Sequence, residues 1–110
     1  MRVQRAARLH GPRDLRIDEV PVPVAGPTEV VVAIAYVGIC GSDVHFYDSG
    51  RIGPTVVDRP LVLGHEPSGT VVAVGDRVSR LSVGQRVSLE PGVPCGSCRS
   101  CLVGRYNLCV

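Results

Sequence analysis

The stretch EVVVAIAYVG, Glu29 to Gly38, decides the fold class. It is a run of valine, small apolar residues and one tyrosine, too short for a typical helix, and it reads as a strand buried on both faces or nearly so. Downstream, GTVVAVG (Gly69 to Gly75) is the next best strand, followed by Gln85 to Leu89. Upstream, Arg2 to Leu9 and Leu15 to Glu19 read as two strands separated by the turn residues Gly11-Pro12. The segment PVPVAGP, Pro21 to Pro27, is too rich in proline for a central strand and reads as a loop. Helix is scarce. Residues Ser42 to Asp48 could form one or two turns, with Ser42 as the N-cap and Asp43 in the first turn. Valine is the commonest residue, and 13 glycines and 9 prolines cut the chain into short pieces. The expectation is a mainly β fold, a small and partly open barrel with a metal-stapled lobe at its C-terminal end.

Composition narrows the function classes. With 110 residues and 45% hydrophobic content the chain reads as one small domain with enough apolar material for a packed core. A net charge of +2 is too small for a disordered chain. All 12 basic residues are arginine and they are dispersed, which argues against nucleic acid as a partner. The longest apolar run, Val30 to Tyr36, is far short of the roughly 20 residues a membrane helix needs, so no membrane span is expected. The opening MRVQRAARLHGPRDLR has no apolar signal region, and five cysteines without one point to a reduced, cytoplasmic chain. There, clustered cysteines bind metal more often than they pair.

After Glu90 the sequence becomes PGVPCGSCRSCLVGRYNLC. Cys95, Cys98, Cys101 and Cys109 have the spacing C-x2-C-x2-C-x7-C. Thiolates three residues apart converge on one ion when the backbone turns tightly between them, and Gly96 and Ser97 permit that turn. Four thiolates at about 2.3 Å complete a closed tetrahedral zinc shell, a structural site with no open position. Such sites give roughly 10–16 kcal/mol of apparent binding free energy in zinc-finger peptides, enough to order a lobe with almost no core. Disulfide pairs, an iron–sulfur cluster or four unrelated buried thiols are the competing readings. The cluster reading suffers because the next cysteine in ferredoxin motifs follows after three residues, not seven.

The fifth cysteine, Cys40, closes the best strand and enters GICGSDVH; Gly64-His65-Glu66 follows 25 residues later. Thiolate, imidazole and carboxylate are all zinc ligands, and three protein ligands with one open position is the pattern of a catalytic zinc. Spacing alone leaves the plainer reading open, with Cys40 a buried thiol, His65 a hydrogen-bonded core residue and Glu66 a solvated charge.

Taken together, these segments resemble the zinc-dependent medium-chain alcohol dehydrogenases, and within them the sorbitol, xylitol and related polyol dehydrogenase branch. Gly64-His65-Glu66-Pro67-Ser68-Gly69, with Gly75 and Val78 at their intervals, fits that family's zinc signature. GICGSDVHFYDSGRIG (Gly38 to Gly53), LEPGVPCGSCRSC and GRYNLC carry the likeness to the polyol branch, which covers essentially the whole chain. It implies a GroES-like barrel, with Cys40, His65 and Glu66 at a catalytic zinc and the four later cysteines at a structural one, two Zn2+ per chain. It also implies that Ser42 hydrogen-bonds the substrate oxygen and His45 ends a proton relay to solvent. Asp43 then orients the histidine ligand. Each has a plainer counterpart: Ser42 and Asp43 as a cap and a first-turn acid, His45 as an exposed helix residue. Phe46 and Tyr47 line the substrate pocket or pack in the core.

The resemblance also sets a limit. Family members bind NAD(P) in a doubly wound Rossmann domain with a G-x-G-x-x-G turn, and this chain has no such motif: Gly50-Arg51-Ile52-Gly53 has the wrong spacing. The expectation is an N-terminal GroES-like domain spanning residues 1–110, incomplete, with the zinc lobe at about 91–110 and the Rossmann domain absent. The whole enzyme would oxidise a polyol or secondary alcohol, use NAD(P) through a domain not in this chain, and form a homo-oligomer at full length. A non-catalytic zinc-binding β-module and an enzyme of the threonine or butanediol dehydrogenase type are the alternatives.

Overall fold

The computed structural model describes all 110 residues. The elements run β1 (Val3–Gly11), β2 (Asp14–Pro21), β3 (Val30–Gly38), α1 (Gly41–Ser49), β4 (Arg51–Ile52), β5 (Thr55–Val56), β6 (Leu61–Val62), β7 (Glu66–Val74), β8 (Arg86–Ser88) and α2 (Arg99–Leu102). A single 3-10 turn, Tyr106–Leu108, follows. The five strands expected from pattern are all present within a few residues of their expected bounds. The short strands β4, β5 and β6 carry too few residues to show any alternation, and α2 too few to show a helical period.

The strands form two three-stranded antiparallel sheets, in the orders β2-β1-β6 and β3-β7-β8, with β4 and β5 as a separate hairpin. The arrangement is mainly β and open, as expected, because the sheets do not join into a closed ring. The register between β3 and β7 positions everything that follows. Val30 faces Val74 at one end and Gly38 faces Glu66 at the other, with two register shifts along the way. The chain therefore leaves β3 and enters β7 at the same edge of the molecule.

Two expectations are corrected here. First, β3 is not buried: Ile34 is 49% exposed and Tyr36 78%. The strand pairs with β7 through its backbone, but no layer among these residues packs over its outer side. Leu9 and Val71 are the apolar residues fully buried, so the core is far smaller than the hydrophobic content suggested. The chain exposes 8461 Å², against about 5,800 Å² expected for a folded monomer of 11.6 kDa. Its radius of gyration, 16.0 Å, likewise exceeds the roughly 13 Å of a compact chain this long. Large apolar side chains share in this exposure, among them Tyr36 on β3 and Ile39 just after it.

Second, the N-cap of α1 is Cys40 and not Ser42. Cys40 is extended (φ −93°, ψ 158°), and its backbone N–H donates to Asp43 Oδ2 at 3.0 Å. The acid at the third helical position thus reaches back to the cap, half of a capping box. That bond draws the helix start two residues earlier than the serine predicted.

Because Leu9 is enclosed on all sides, Leu9→Ala should lower unfolding free energy by about 2–5 kcal/mol. The same truncation at Val24, which is 88% exposed, should change it by no more than about 0.5 kcal/mol. Urea denaturation of the two variants checks this.

Candidate functional site

The β3–β7 register brings two distant pieces of sequence together. Cys40 lies just beyond the end of β3, His65 just before β7, and Glu66 is its first residue. Since Gly38 and Glu66 are direct cross-strand partners, the thiol, imidazole and carboxylate meet at one edge. Their ligand atoms all lie within 4.8 Å of one another. Gly38 is part of the reason Glu66 can reach: a Cβ there would fall on the Glu66 carboxylate. Sequence reasoning missed this glycine, since its requirement appears only once the strand register is known.

Helix α1 completes the surroundings. Asp43 is its buried side chain, and its two oxygens take different partners. Oδ2 accepts from the Cys40 N–H, and Oδ1 stands 3.4 Å from His65 Nδ1. With Nδ1 turned to the carboxylate, Nε2 is the ring nitrogen left for another partner, the arrangement by which a carboxylate orients a ligating histidine. The Ser42 hydroxyl and backbone N–H, and then His65, hold the Cys40 thiol below its usual range. The same thiol, followed by Asp43 among the charges around it, raises His65 against partial burial. Both shifts favour the charged pair, so the thiol is disposed to act as a thiolate.

The sequence-predicted residues divide cleanly. Cys40, His65 and Glu66 converge, with Ser42 and Asp43 against them. His45 does not join them. It is exposed and lines a hollow on the outer side of α1 with Arg13, Val44, Tyr47 and Asp48. Tyr47 also lines an apolar cavity beneath the helix.

The second cluster is built from sulfur alone. The donor atoms of Cys95, Cys98, Cys101 and Cys109 also lie within 4.8 Å of one another. The backbone turns at Gly96 (φ 75°), as expected. The sulfurs of Cys95 and Cys101 are 3.9 Å apart, close to the roughly 3.8 Å edge of a tetrahedron with bonds of about 2.3 Å. That spacing is far beyond a disulfide bond, and all five cysteines are free. Convergence on one point also fits a single ion better than a cluster, whose thiolates are spread over several irons. The Cys95 sulfur accepts the N–H groups of Ser97 at 3.4 Å and Cys98 at 3.2 Å, and Cys109 accepts that of Cys95 at 3.2 Å. The Ser97 N–H and hydroxyl, then the Cys98 N–H, pull Cys95 down to about 5. The Cys101 backbone N–H lowers Cys98, while partial burial raises Cys101. Around the cysteines there is no apolar core: Val93 is 95% exposed and Leu102 74%. Both donor sets suit a metal ion, the first a borderline ion with a further position open, the second a soft tetrahedral one.

Comparisons with known proteins agree with this geometry. The model of the alcohol dehydrogenase GroES-like domain matches residues 26–110. The chain is 56% identical over 105 residues to sorbitol dehydrogenase of Bombyx mori, which covers 96% of this chain and 30% of that protein. Among solved structures, an oxidoreductase/dehydrogenase of unknown specificity from Escherichia coli superposes with a TM-score of 0.88 at 49% identity, covering 98% of this chain and 31% of that one. L-idonate 5-dehydrogenase from the same species gives 0.86 at 34% identity, over 96% of this chain and 30% of that one. The chain therefore spans under a third of the length of the proteins it matches.

Two outcomes are expected. Gly38→Ala should displace the Glu66 carboxylate and weaken metal binding at the Cys40 cluster while thermal stability is kept, as titration with cobalt and a melting curve would report. At the four-cysteine cluster, metal binding at pH 7 should release the proton of Cys101 but none from Cys95, already a thiolate. Affinity should climb with pH until Cys101 ionises unaided, and collapse as pH falls through about 5, where Cys95 takes up its proton. Calorimetry in buffers of different ionisation enthalpy measures that release.

Proposed function

Because the chain belongs to the alcohol dehydrogenase GroES-like domain family, we propose that it forms the metal-carrying part of a zinc-dependent polyol dehydrogenase. The observation that carries this reading is the convergence of Cys40, His65 and Glu66 within 4.8 Å beside Ser42 and Asp43. Likeness to a sorbitol dehydrogenase and to L-idonate 5-dehydrogenase supports a polyhydroxylated or secondary alcohol as substrate. NAD(P) serves as hydride acceptor, bound by polypeptide outside these residues. That polypeptide also covers the bare face of β3. The whole protein works in the cytoplasm as a homo-oligomer, and no helix in this chain is long and apolar enough to cross a membrane.

Cys40, His65 and Glu66 hold the catalytic zinc, and the later four cysteines hold a structural one that orders a lobe from about 91 to 110. A zinc ion in the first site supplies Lewis acidity, which favours loss of the alcohol proton. The chain's own residues do the rest. Asp43 keeps the His65 ring in one tautomer and orientation. The Ser42 hydroxyl, next to Cys40, accepts the hydrogen bond of the substrate hydroxyl and takes its proton while releasing its own, through intervening water, toward His45. His45, on the exposed side of the same helix, delivers the proton to water. Removing it through a side-chain relay leaves the reacting carbon free to give up hydride to the nicotinamide ring.

In the full-length protein, His65→Ala should abolish turnover while circular dichroism shows the fold intact; retained activity removes His65 from the site. Cys98→Ser should release one zinc per chain and open residues from about 91 onward to protease, with unchanged zinc content overturning the structural site.

A further inference from the structure

Helix α1 carries Ser42 and Asp43 and begins at Cys40, so its placement sets the geometry of the candidate site. The helix has little of its own to hold it. It has nine residues, short for independent stability, and Asp43 is its one buried side chain. Beneath it lies a cavity of about 330 Å³ lined by Ala7, Leu15, Val37, Val44, Tyr47 and Leu63, so apolar packing under the helix is incomplete.

What meets its far end is the turn between β1 and β2. Arg13 in that turn is the one non-glycine residue with positive φ, 58°. Proline followed by a residue of positive φ is the type II order, in which glycine would be free of strain. Three contacts offset that strain. The Arg13 backbone N–H donates to the Tyr47 carbonyl at 2.6 Å, one of the terminal carbonyls that a helix cannot satisfy internally. The Arg13 guanidinium donates to Asp48 Oδ1 through Nε at 2.8 Å and through a terminal nitrogen to the same oxygen. The Pro12 ring lies where a side chain on Gly50, the C-cap residue at φ 69°, would stand. Helix α1 has no basic residue in its own last turn, so Arg13 brings in the cation that a helix C-terminus favours.

The geometry points to the β1–β2 turn as a strap that anchors α1, with Arg13 a positioning residue for the Cys40–His65–Glu66 site through the helix it holds. The helix anchor stands on the contacts alone, and the effect on metal rests on the functional reading above. The backbone bond is the main anchor, because an exposed ion pair contributes little.

Amide hydrogen exchange across α1, with cadmium-113 resonances of the chain, tests this. Arg13→Gly keeps positive φ and the backbone bond but loses the guanidinium. Arg13→Val disfavours positive φ and loses both. Exchange of the Gly50 amide, which donates to Phe46, should quicken less than threefold in Arg13→Gly and at least tenfold in Arg13→Val. Cadmium affinity of the mixed site should fall in the same order, with the four-thiolate resonance unchanged. Asp48→Ala and Arg13→Gly should be non-additive in combination, since both remove the same pair. Additive effects overturn the pairing even if Arg13→Val does not fold. Equal exchange in Arg13→Val and the unsubstituted chain overturns the strap, and parallel weakening of both metal resonances overturns the positioning role. Were the unsubstituted chain to show no mixed-site resonance, the metal reading would fall and the exchange series would decide the strap.

Discussion

The pairing of Gly38 with Glu66 across β3 and β7 is the constraint on which the site depends. A strand register is quantised: a slip of one residue would turn Glu66 to the other face and carry His65 away from Cys40. Antiparallel pairing makes the two ends of a 25-residue excursion neighbours, and the intervening α1 and β4–β5 hairpin are packed into that excursion. Asp43 then ties the excursion back at both ends, holding the Cys40 amide with one oxygen and facing His65 with the other. One buried carboxylate thus serves as helix cap and as histidine partner at once.

The two cysteine-containing clusters solve different physical problems. The first has one sulfur, one nitrogen and one oxygen donor, on elements that the sheet already positions. The second has four sulfurs on a segment without apolar packing. Their local hydrogen bonding reflects this. Backbone and hydroxyl donors converge on the Cys95 sulfur before any ion is considered, lowering the work of making at least one thiolate. Electrostatic preparation is therefore uneven, with Cys95 ready and Cys101 still protonated at neutral pH.

Much of this was legible in residue order. Valine-rich runs bounded by glycine and proline mark the five main strands, and the C-x2-C-x2-C-x7-C spacing marks the sulfur cluster without any coordinates. Cys40 with His65 and Glu66 became persuasive through the surrounding motif, because their separation alone says nothing about a shared strand edge. Other features lay beyond pattern. The exposure of β3 depends on what covers it, which local sequence does not encode. The N-cap at Cys40 depends on a reach-back from Asp43 that competes with a good cap at Ser42. Arg13 looks like any turn arginine until its φ and its bond to Tyr47 are seen together.

The segment after Glu90 meets the rest of the molecule through chain continuity and a side-chain bond, Tyr106 hydroxyl to Glu90 Oε2 at 3.3 Å. So thin a junction favours local opening of the lobe ahead of the sheets. The sheets can stay assembled while the sulfur lobe opens and closes on its own equilibrium. Opening of that lobe would then be a local event, leaving the β3–β7 register, and the Cys40 edge with it, in place.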